Sequence, residues 1–323
     1  MRTLVTGGAG YVGSVVAKQL LAAGHEVLVV DDLSRGHAGA LPAGAEHAAV
    51  SLLDRAALEE RLAGIDAVLH FAALALVEES VEHPERYWHT NVGGTRNLLD
   101  AMRANGVGRL VFSSTCATYG EPETVPIAED EPTAPVNAYG ASKLAVDLMI
   151  RDECRAHGLA AASLRYFNVA GASGELGEDH DPETHLIPLV LQAAAGARDH
   201  IKVFGTDYPT RDGTAVRDYI HIEDLGEAHL LALDALERGR HRVLNLGTGD
   251  GYTVREVIEA ARRVTEREIQ AREEGRRPGD PPELVAANAR ARAELGWAPR
   301  RGLDQMIADA WAWHQAHPHG YDD

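Results

Sequence analysis

The sequence predicts an α/β fold: a doubly wound parallel sheet followed by a smaller, mixed C-terminal lobe. Up to Tyr166, short β-rich runs alternate with amphipathic helical segments, which is typical of parallel strands joined by helices. A glycine cluster ends the first β-rich run and opens a helix. After residue 170 the alternation gives way to loops rich in Gly, Asp and Glu and then to charged helical sequence. These changes predict two lobes of unequal size.

The element boundaries follow from hydrophobic periodicity and turn residues. After the strand that precedes Gly7, strands are predicted at 26–30, 48–52, 66–71, 109–114 and 160–166, and helices at 55–62, 87–105, 138–157 and 186–195. Loops are predicted at 34–44, 121–136, 171–184, 205–214 and 275–282. Residues 219–221 and 242–246 are predicted to return to the sheet, and the chain from 253 onward to be helical. We assign 1–170 and 217–248 to the sheet domain, and 171–216 and 249–323 to the second lobe.

The glycine cluster predicts a dinucleotide site. Glycines let the backbone turn sharply and approach a ligand, and the N-terminus of the following helix favours a pyrophosphate. Both Gly7/Gly10/Gly13 and Gly8/Gly10/Gly13 fit known fingerprint spacings. Asp31 ends the next strand, 31 − 13 = 18 residues after Gly13. A carboxylate there can bind the adenosine ribose hydroxyls and repel a 2′-phosphate, so we predict NAD rather than NADP. The alternative is a glycine-rich turn of any α/β protein.

Composition excludes several classes of function. The 323 residues carry a formal net charge of −18, which argues against nucleic acid and anionic membranes as partners. Two cysteines form no disulfide or metal pattern. Met1 leads directly into the first predicted strand, so we expect no signal peptide and a cytoplasmic location. The histidine groups at 180–185 and 314–319 lack known zinc spacings. We therefore expect both to be solvated surface and expect no metal site.

Tyr139 and Lys143 are the predicted catalytic pair. They are four residues apart, so on a helix they share one face. A phenol with a pKa of about 10 is a poor base near neutrality, and a nearby ammonium and a cationic nicotinamide ring would both favour its phenolate form. Ser113 and Thr115 lie at the end of the fifth predicted strand, where a hydroxyl could contact substrate. A helix-start tyrosine with a surface lysine is the alternative.

Further motifs give the chain a specific resemblance, covering essentially its full length. They are TGGAGYVG at 6–13, HFAA at 70–73, NVGGT at 91–95, YGASK at 139–143, LRYFN at 164–168, VRDYIH at 216–221 and RRPGD at 276–280. With them the chain resembles the extended short-chain dehydrogenases/reductases, which have a Rossmann-type sheet. Within that family it is similar to the UDP-glucose (UDP-galactose) 4-epimerase group.

The resemblance implies a role for each matching residue. Tyr139 would be the base for the sugar 4-hydroxyl, Thr115 would bond that hydroxyl, and Lys143 would tune Tyr139 and hold the nicotinamide ribose. Asn168 would contact the phosphates, Phe204 the uracil, Arg217 and Arg277 the pyrophosphate, and Asp280 the uridine ribose. Cofactor contacts are implied for Gly7, Gly10, Tyr11, Val12, Gly13, Asp31, Asp32, Ser51, Leu52, Phe71, Ala72, Ala73, Asn91, Ser113 and Tyr166. Further substrate contacts are implied for His185, Leu186, Val203 and Leu284.

The implied reaction interconverts UDP-galactose and UDP-glucose by transient oxidation at the sugar 4-position, with NAD tightly held and regenerated. The resemblance also implies a homodimer through helices 87–105 and 138–157. Ser51, Ala75 and His185 depart from common family residues, which bears on NAD retention and nucleotide binding. The alternatives are a 4-epimerase of a UDP-uronic acid, UDP-pentose or UDP-N-acetylhexosamine, or a non-catalytic NAD-binding sensor. A dehydratase needs acid and base groups where this chain has Cys116 and Ala117.

Overall fold

Residues 1–277 and 279–321 are described by the computed structural model. The strands are β1 (Arg2–Thr6), β2 (Glu26–Val30), β3 (Glu46–Ala48), β4 (Ala67–His70), β5 (Arg109–Thr115), β6 (Ala160–Tyr166), β7 (Asn168–Ala170), β8 (Ile201–Phe204), β9 (Val216–Arg217), β10 (Tyr219–His221), β11 (His241–Leu246), β12 (Tyr252–Thr253), β13 (Ala271–Glu274) and β14 (Glu283–Leu284). The α-helices are α1 (Tyr11–Ala22), α2 (Arg55–Arg61), α3 (Val77–Glu82), α4 (Pro84–Tyr87), α5 (Gly94–Ala104), α6 (Ala138–His157), α7 (Leu186–Ala194), α8 (Ile222–Asp234), α9 (Val254–Thr265), α10 (Ala289–Leu295) and α11 (Leu303–Ala316). A π-helical turn covers Trp88–Gly93, and short 3₁₀ turns cover Ala38–Ala40 and Cys116–Thr118.

A seven-stranded parallel sheet forms the centre, in the order β11-β6-β5-β4-β1-β2-β3. The chain lays down β1 to β3 in one direction and then crosses back to β4, so the strand order reverses between β1 and β4. In open α/β sheets, ligands bind at the carboxyl ends of the strands beside such a reversal. The predicted doubly wound Rossmann-type sheet is confirmed.

Both faces of this sheet are buried, because its strands are almost continuously apolar. Val5, Leu69 and Val111 face a core closed by α1 and α8, whereas Leu4, Val68 and Leu110 face a core closed by α2, α5 and α6. The alternation follows from the two-residue period of a strand. The sheet is therefore a rigid platform whose carboxyl edge carries the loops described below.

The second lobe has its own core. Apolar residues of α7, α9 and α11 pack together with β8, and Val203 and Met306 are among its buried members. Small sheets accompany it: β12-β9-β14, which is mixed, and the parallel pair β13-β8. This agrees with the predicted smaller mixed lobe. The exact division at 170, 216 and 248 stays a prediction.

The structure differs from the sequence prediction in the position, pairing or type of several elements. The third strand lies at Glu46–Ala48 rather than 48–52. Tyr219–His221 does not join the central sheet but pairs with β7, since the chain leaves that sheet after Tyr166. The helix expected at 87–105 is divided by the π-helical turn. Two short strands, β13 and β14, lie in the region expected to be helical.

Within the part of the chain that the structure describes, no helix has the length and apolar character needed to cross a membrane.

Candidate active site

The glycine loop connects β1 to α1 at the point where the strand order reverses. Gly7 has φ +70°, and an added Cβ would lie 2.5 Å from the Ala72 nitrogen. At Gly13 a Cβ would lie 2.1 Å from the Gly7 carbonyl oxygen. At Gly10, in contrast, a Cβ would meet only that carbonyl oxygen, at 3.4 Å. Gly7 and Gly13 are thus required by packing, while the space above Gly10 is free of described protein atoms.

That space suits a dinucleotide pyrophosphate. No side chain caps the N-terminus of α1 at Gly10, so the first N–H groups of the helix are available to an anion. Tyr11 and Val12 follow in the first turn; the Tyr11 hydroxyl donates to the Gly171 carbonyl oxygen over 2.7 Å. Tyr11 therefore joins the glycine loop to the start of the second lobe. Val12 packs against the core that α1 and α8 close on one face of the sheet.

Asp31 stands at the end of β2, next to this loop. Its carboxylate accepts hydrogen bonds from the Ala9 nitrogen at 3.0 Å and the Leu33 nitrogen at 2.9 Å. Burial raises the pKa of Asp31, and these two hydrogen bonds act against that rise. Arg35, which could otherwise attract a 2′-phosphate, is 3.0 Å from Glu79 in an ion pair. The local charges therefore favour a ribose with a free 2′-hydroxyl.

Asp32 and Ser51 form a second contact beside Asp31. Burial acts to raise the pKa of Asp32, but hydrogen bonds from Ser34 and Ser51 hold it below its usual value. Ser51 thus takes part in a local network even though it replaces the acid common in the resembling family. The following residue, Leu52, packs in the core. It lies against Gly94, where an added Cβ would be 2.8 Å from the Leu52 Cβ.

The loop after β4 is positioned by a chain of hydrogen bonds that sequence reasoning missed. His70 Nδ1 is 2.6 Å from the Thr6 hydroxyl, and His70 Nε2 is 2.8 Å from the Thr95 hydroxyl. Thr95 donates to the Asn91 carbonyl oxygen over 2.6 Å, and Thr6 accepts from the Ala72 nitrogen at 3.3 Å. Thr95 must therefore accept from Nε2, and we infer that His70 carries its proton there. Burial lowers the pKa of His70 to about 3.

Asn91 lies in the π-helical turn, and its side chain is fully used. Its Oδ1 accepts from the Leu74 nitrogen at 2.8 Å, and its Nδ2 donates to Leu74 and Ser142 over 3.0 Å each. It thereby fixes the loop that contains Phe71, Ala72 and Ala73 against α6. The sequence places Asn91 at the cofactor; the structure gives its amide a bracing role beside that position.

Tyr139 and Lys143 lie at the start of α6. The Asn137 side chain accepts from the Gly140 nitrogen at 2.8 Å and begins the helix at Ala138. Tyr139 is partly exposed in the first turn, whereas Lys143 is buried. Lys143 Nζ donates to the Ser113 carbonyl oxygen over 2.8 Å and lies 4.9 Å from the centre of the Phe112 ring. Tyr139 and Lys143 are thus one turn apart on α6, and Lys143 contacts β5.

Thr115 completes this group. It is the last residue of β5, its Oγ1 accepts from the Ala117 nitrogen at 3.2 Å, and its hydroxyl lies near enough to Tyr139 to oppose the rise that burial causes in the pKa of that phenol. Ser113, two residues earlier, is hydrogen-bonded to the Tyr166 hydroxyl. Burial raises the pKa of Tyr166, and Tyr139 lies near enough to add to that rise. Thr115, Tyr139, Lys143 and Tyr166 therefore form one cluster at the carboxyl edge of the sheet.

Burial dominates the acid–base properties of this cluster. It raises the pKa of Tyr139 to about 12, while the Thr115 hydrogen bond acts in the opposite direction. Burial also lowers the pKa of Lys143 to about 8, with the Asp147 carboxylate opposing it. The sequence prediction that Lys143 lowers the pKa of Tyr139 is not visible here. A phenolate at neutral pH requires a further positive charge near the hydroxyl.

Cations and an aromatic ring lie where β7 and β9 meet the second lobe. Arg217 is ion-paired with Asp280, and the Arg277 guanidinium lies 3.9 Å from the centre of the Phe204 ring. Asn168 Nδ2 donates to the Asp218 carbonyl oxygen over 2.9 Å. Arg217 also lies close enough to Cys116 to oppose the rise that burial causes in the pKa of that thiol. Arg217 therefore adjoins the residue that follows Thr115.

Leu284 lies between the two lobes. It belongs to β14, beside Arg217, and packs with Cys116 against a small core that contains Phe167. Its side chain is partly exposed. Val203 and Leu186 differ from it: Val203 is buried in the core of the second lobe and Leu186 packs against that core. Any substrate contact by Val203 therefore involves its backbone.

Asp218 lies in the VRDYIH motif next to Arg217, but the sequence analysis assigned it no role. Its carboxylate is fully buried and accepts from the backbone nitrogens of Thr248 (2.7 Å), Gly249 (3.0 Å) and Ala286 (3.1 Å) and from the Thr248 hydroxyl (2.7 Å). Two loops are thereby fixed beside Arg217.

The histidine group at 180–185 is only in part the solvated surface that we expected: the side chains of His180 and His185 are 34% and 48% exposed, but they contact two buried carboxylates. The side chains of Glu178 and Glu183 are only 7% and 8% exposed, and both carboxylates approach His180 and His185. Although burial acts to lower it, the two carboxylates raise the pKa of His185 to about 11 and that of His180 to about 9. The expectation failed in part, because the loop folds back on itself and directs alternate side chains inward.

Comparison with known proteins decides the family. The model of the family described as "NAD dependent epimerase/dehydratase" matches residues 3–247. This chain belongs to the NAD-dependent epimerase/dehydratase family. It therefore belongs to a family whose cofactor, NAD, matches the glycine loop and Asp31.

Individual members of the family are similar over the full chain. The UDP-glucose 4-epimerase of Streptomyces lividans is 56% identical over 323 residues, covering 99% of this chain and 98% of that protein. The UDP-glucose 4-epimerase of Corynebacterium glutamicum is also 56% identical, over 98% and 96% of the two chains. A crystal structure of a UDP-glucose 4-epimerase matches with a TM-score of 0.97 at 46% identity and full coverage of both chains. The UDP-glucose-4-epimerase of Stenotrophomonas maltophila, solved with NAD and formylated UDP-arabinopyranose, matches with a TM-score of 0.95 at 40% identity over 98% and 99%.

Proposed function

We propose that this chain is a UDP-glucose 4-epimerase, which interconverts UDP-galactose and UDP-glucose. One observation carries the proposal: the Thr115, Tyr139 and Lys143 cluster lies at the carboxyl edge of the sheet, next to Cys116, which Arg217 approaches while it is ion-paired with Asp280. Such an arrangement holds a sugar at the cluster and its nucleoside diphosphate at the cations. The full-length similarity to UDP-glucose 4-epimerases supports the same conclusion.

NAD fits the first lobe, and different residues of this lobe would bind different parts of the cofactor. Gly7, Gly10 and Gly13 admit the pyrophosphate to the start of α1, and Asp31 takes the adenosine ribose. When bound, NAD⁺ supplies a hydride acceptor for the sugar's fourth carbon and later a donor to the opposite face. Its nicotinamide cation would also supply the positive charge that Tyr139 needs to ionise.

The protein's residues move the proton and hold the sugar. Tyr139 accepts the proton of the 4-hydroxyl and later returns it, while Thr115 hydrogen-bonds the same oxygen and fixes its position. Lys143, held by the Ser113 carbonyl oxygen, would hold the nicotinamide ribose. Arg217 and Arg277 bind the diphosphate, so binding energy away from the reacting carbon holds the substrate while the keto sugar turns.

The test is epimerisation without added reductant. Purified protein is mixed separately with UDP-galactose, a UDP-pentose, a UDP-uronic acid and UDP-N-acetylgalactosamine, and each 4-epimer is measured. We expect UDP-galactose to give UDP-glucose fastest. Faster turnover of another sugar would assign the chain to that substrate, and no turnover of any would leave only an NAD-binding protein.

Calorimetry should show tighter binding of NAD than of NADP; equal affinities would contradict the role of Asp31.

We infer that the protein is a homodimer, joined by the face that α6 shares with α3 and the π-helical turn. Trp88 and Leu148 are 45% and 43% exposed there, and Val77 and Val81 of α3 are 45% and 66% exposed. α3 and α4 both pack against α6, so these apolar side chains lie on adjoining elements. Exposed apolar surface of this kind is typical of a protein interface.

A further inference from the structure

We propose that Glu178, His180, Glu183 and His185 form a binding site for one divalent transition-metal cation of the zinc type. The four residues lie in the loop between β7 and α7 and at the first position before α7. One ligand atom from each can be chosen so that all four lie within 4.8 Å of one another. Two imidazoles with two carboxylates are a donor set that suits zinc and neighbouring divalent ions.

The distances between the donor atoms fit a tetrahedral centre. Bonds of about 2.0–2.1 Å to a tetrahedral ion place neighbouring donors about 3.3–3.4 Å apart. His185 Nδ1 is 2.9 Å from Glu178 Oε1 and 3.0 Å from Glu183 Oε1, and His180 Nδ1 is 3.3 Å from Glu178 Oε1 and 3.7 Å from the other Glu183 oxygen, Oε2. The four separations lie on both sides of the tetrahedral value. Small side-chain rotations would equalise them.

The His180 ring nitrogen gives an independent indication. Its Nδ1 is buried, yet no described residue offers it a hydrogen bond of acceptable geometry. It lies 3.3 Å from a Glu178 oxygen and 3.7 Å from a Glu183 oxygen, and neither contact has the geometry of a hydrogen bond. A buried polar nitrogen without a partner is costly unless something else satisfies it.

Charge also favours one divalent cation. Two largely buried carboxylates need about two positive charges nearby. Protonating both imidazoles supplies them, and so does a single divalent ion with both imidazoles neutral. The two forms carry the same total charge, so the surrounding protein accepts either.

The other acids of the loop point elsewhere and define the site by contrast. Asp179 accepts from the Tyr321 nitrogen at 2.9 Å, on the opposite side of the loop backbone. Asp181 presents its carbonyl oxygen to Arg35 at 3.4 Å, and its exposed side chain lies outside the cluster. A cation held by the four inward residues would tie this loop to α7. Since Tyr11 bonds the beginning of the same loop at Gly171, the cofactor side would be stabilised too.

Cobalt(II) is the probe, because its visible absorption reports tetrahedral coordination. Untagged protein, treated with a chelator and dialysed against cobalt(II), should bind one ion per chain and show an intense visible band that zinc abolishes. The double substitution Glu178→Gln/Glu183→Gln should lose both the ion and the band. Asp181→Asn, which changes an acid of the same loop outside the cluster, should keep both.

Thermal melting gives a second measurement. Zinc should raise the melting temperature of the unaltered protein and of Asp181→Asn, and should leave that of the double variant unchanged. If the double variant does not fold, His180→Gln decides, since this side chain is one-third exposed; it should weaken cobalt binding at least tenfold. Sub-stoichiometric cobalt, or full binding in a folded double variant or in His180→Gln, would show that the cluster is only an ion-pair network.

Discussion

At the scale of single residues, the hydroxyl of Tyr139 is the group on which we expect turnover to depend. We expect Tyr139→Phe to reduce kcat by a factor of about 100 to 10,000, because general-base catalysis contributes that much. Thr115 and the sheet edge remain in place, so the fold should persist by circular dichroism. Tyr252→Phe, a change of the same type on a partly exposed tyrosine of the second lobe, is the control. A folded Tyr139→Phe protein with near-normal epimerisation would eliminate Tyr139 as the base.

Lys143→Ala should also strongly reduce kcat, because it removes the buried ammonium held at the Ser113 carbonyl oxygen. The exposed Lys202→Ala provides the matched control. Steady-state kinetics with UDP-galactose measure both variants. Equal rates in the two lysine variants would show that the buried ammonium is dispensable.

Leu284 is expected to control the size of sugar that can turn. Its partly exposed side chain lies beside Cys116 and Arg217, at the junction where we place the sugar. Leu284→Tyr should abolish a weak activity on UDP-N-acetylhexosamines and spare the hexose reaction, and Leu284→Ser should increase the weak activity. A steric misfit of this kind is worth about 1–3 kcal/mol. The ratio of the two activities is the measurement, with Leu53→Ser as an exposed control; a constant ratio would mean that Leu284 only packs.

At the scale of elements, His70 joins β1, β4 and α5 directly beneath the cofactor loop. Its folded-state pKa is about 3, whereas an unfolded histidine has a pKa of about 6.5. Between these values the unfolded chain binds the additional proton, so stability falls as pH decreases, by about 1.4 kcal/mol per pH unit from this residue. The stabilisation is complete above pH 6.5 and is lost progressively toward pH 3.

His70→Gln should remove this dependence. Unfolding free energies from urea denaturation, measured from pH 7 to pH 5, should show the difference between the unaltered protein and His70→Gln shrinking as pH falls. The exposed His89→Gln is the control for histidine removal. A pH-independent difference would contradict the neutral, doubly bonded imidazole.

The elements also show what could be predicted from the sequence and what could not. α6 begins and ends as predicted, because Asn137 caps its start and Gly158, with φ +75°, ends it in a left-handed conformation. The π-helical turn at Trp88–Gly93 has no such local signal, since Asn91 gains its partners from Leu74 and Ser142, which are distant in sequence. Local chemistry fixes helix ends, but tertiary bonds decide irregular turns.

The same division holds for the candidate site. Gly7, Gly10, Gly13, Tyr139 and Lys143 follow fixed spacings, and the structure places them together at one edge of the sheet. The four hydrogen bonds of Asp218 and the inward side chains of the 178–185 loop depend on loops folding back, which no periodicity records. The roles assigned to individual residues stay predictions for the experiments above.

At the scale of the whole molecule, the apolar face around Trp88 and Leu148 should join two copies of the chain. Trp88→Glu/Leu148→Glu should convert the dimer to a monomer, because it places four charges in a symmetric apolar contact. Light scattering at micromolar concentration measures the mass. Val125→Glu, at a loop valine that is 39% exposed, should stay dimeric. A monomeric unaltered protein would contradict the homodimer.

The Arg217–Asp280 ion pair has a consequence for how a nucleotide sugar enters. Each partner is a proposed ligand of a different part of the substrate, yet before binding they neutralise each other. We expect a diphosphate that reaches Arg217 to take the place of the protein's own carboxylate, and the released Asp280 to become free for the uridine ribose. Recognition of the two ends of the nucleotide is thereby an exchange of partners. Uridine or pyrophosphate alone would break the ion pair and leave one of its two charged side chains without a partner. The binding free energies of the two fragments should therefore add up to less than that of the whole nucleotide sugar.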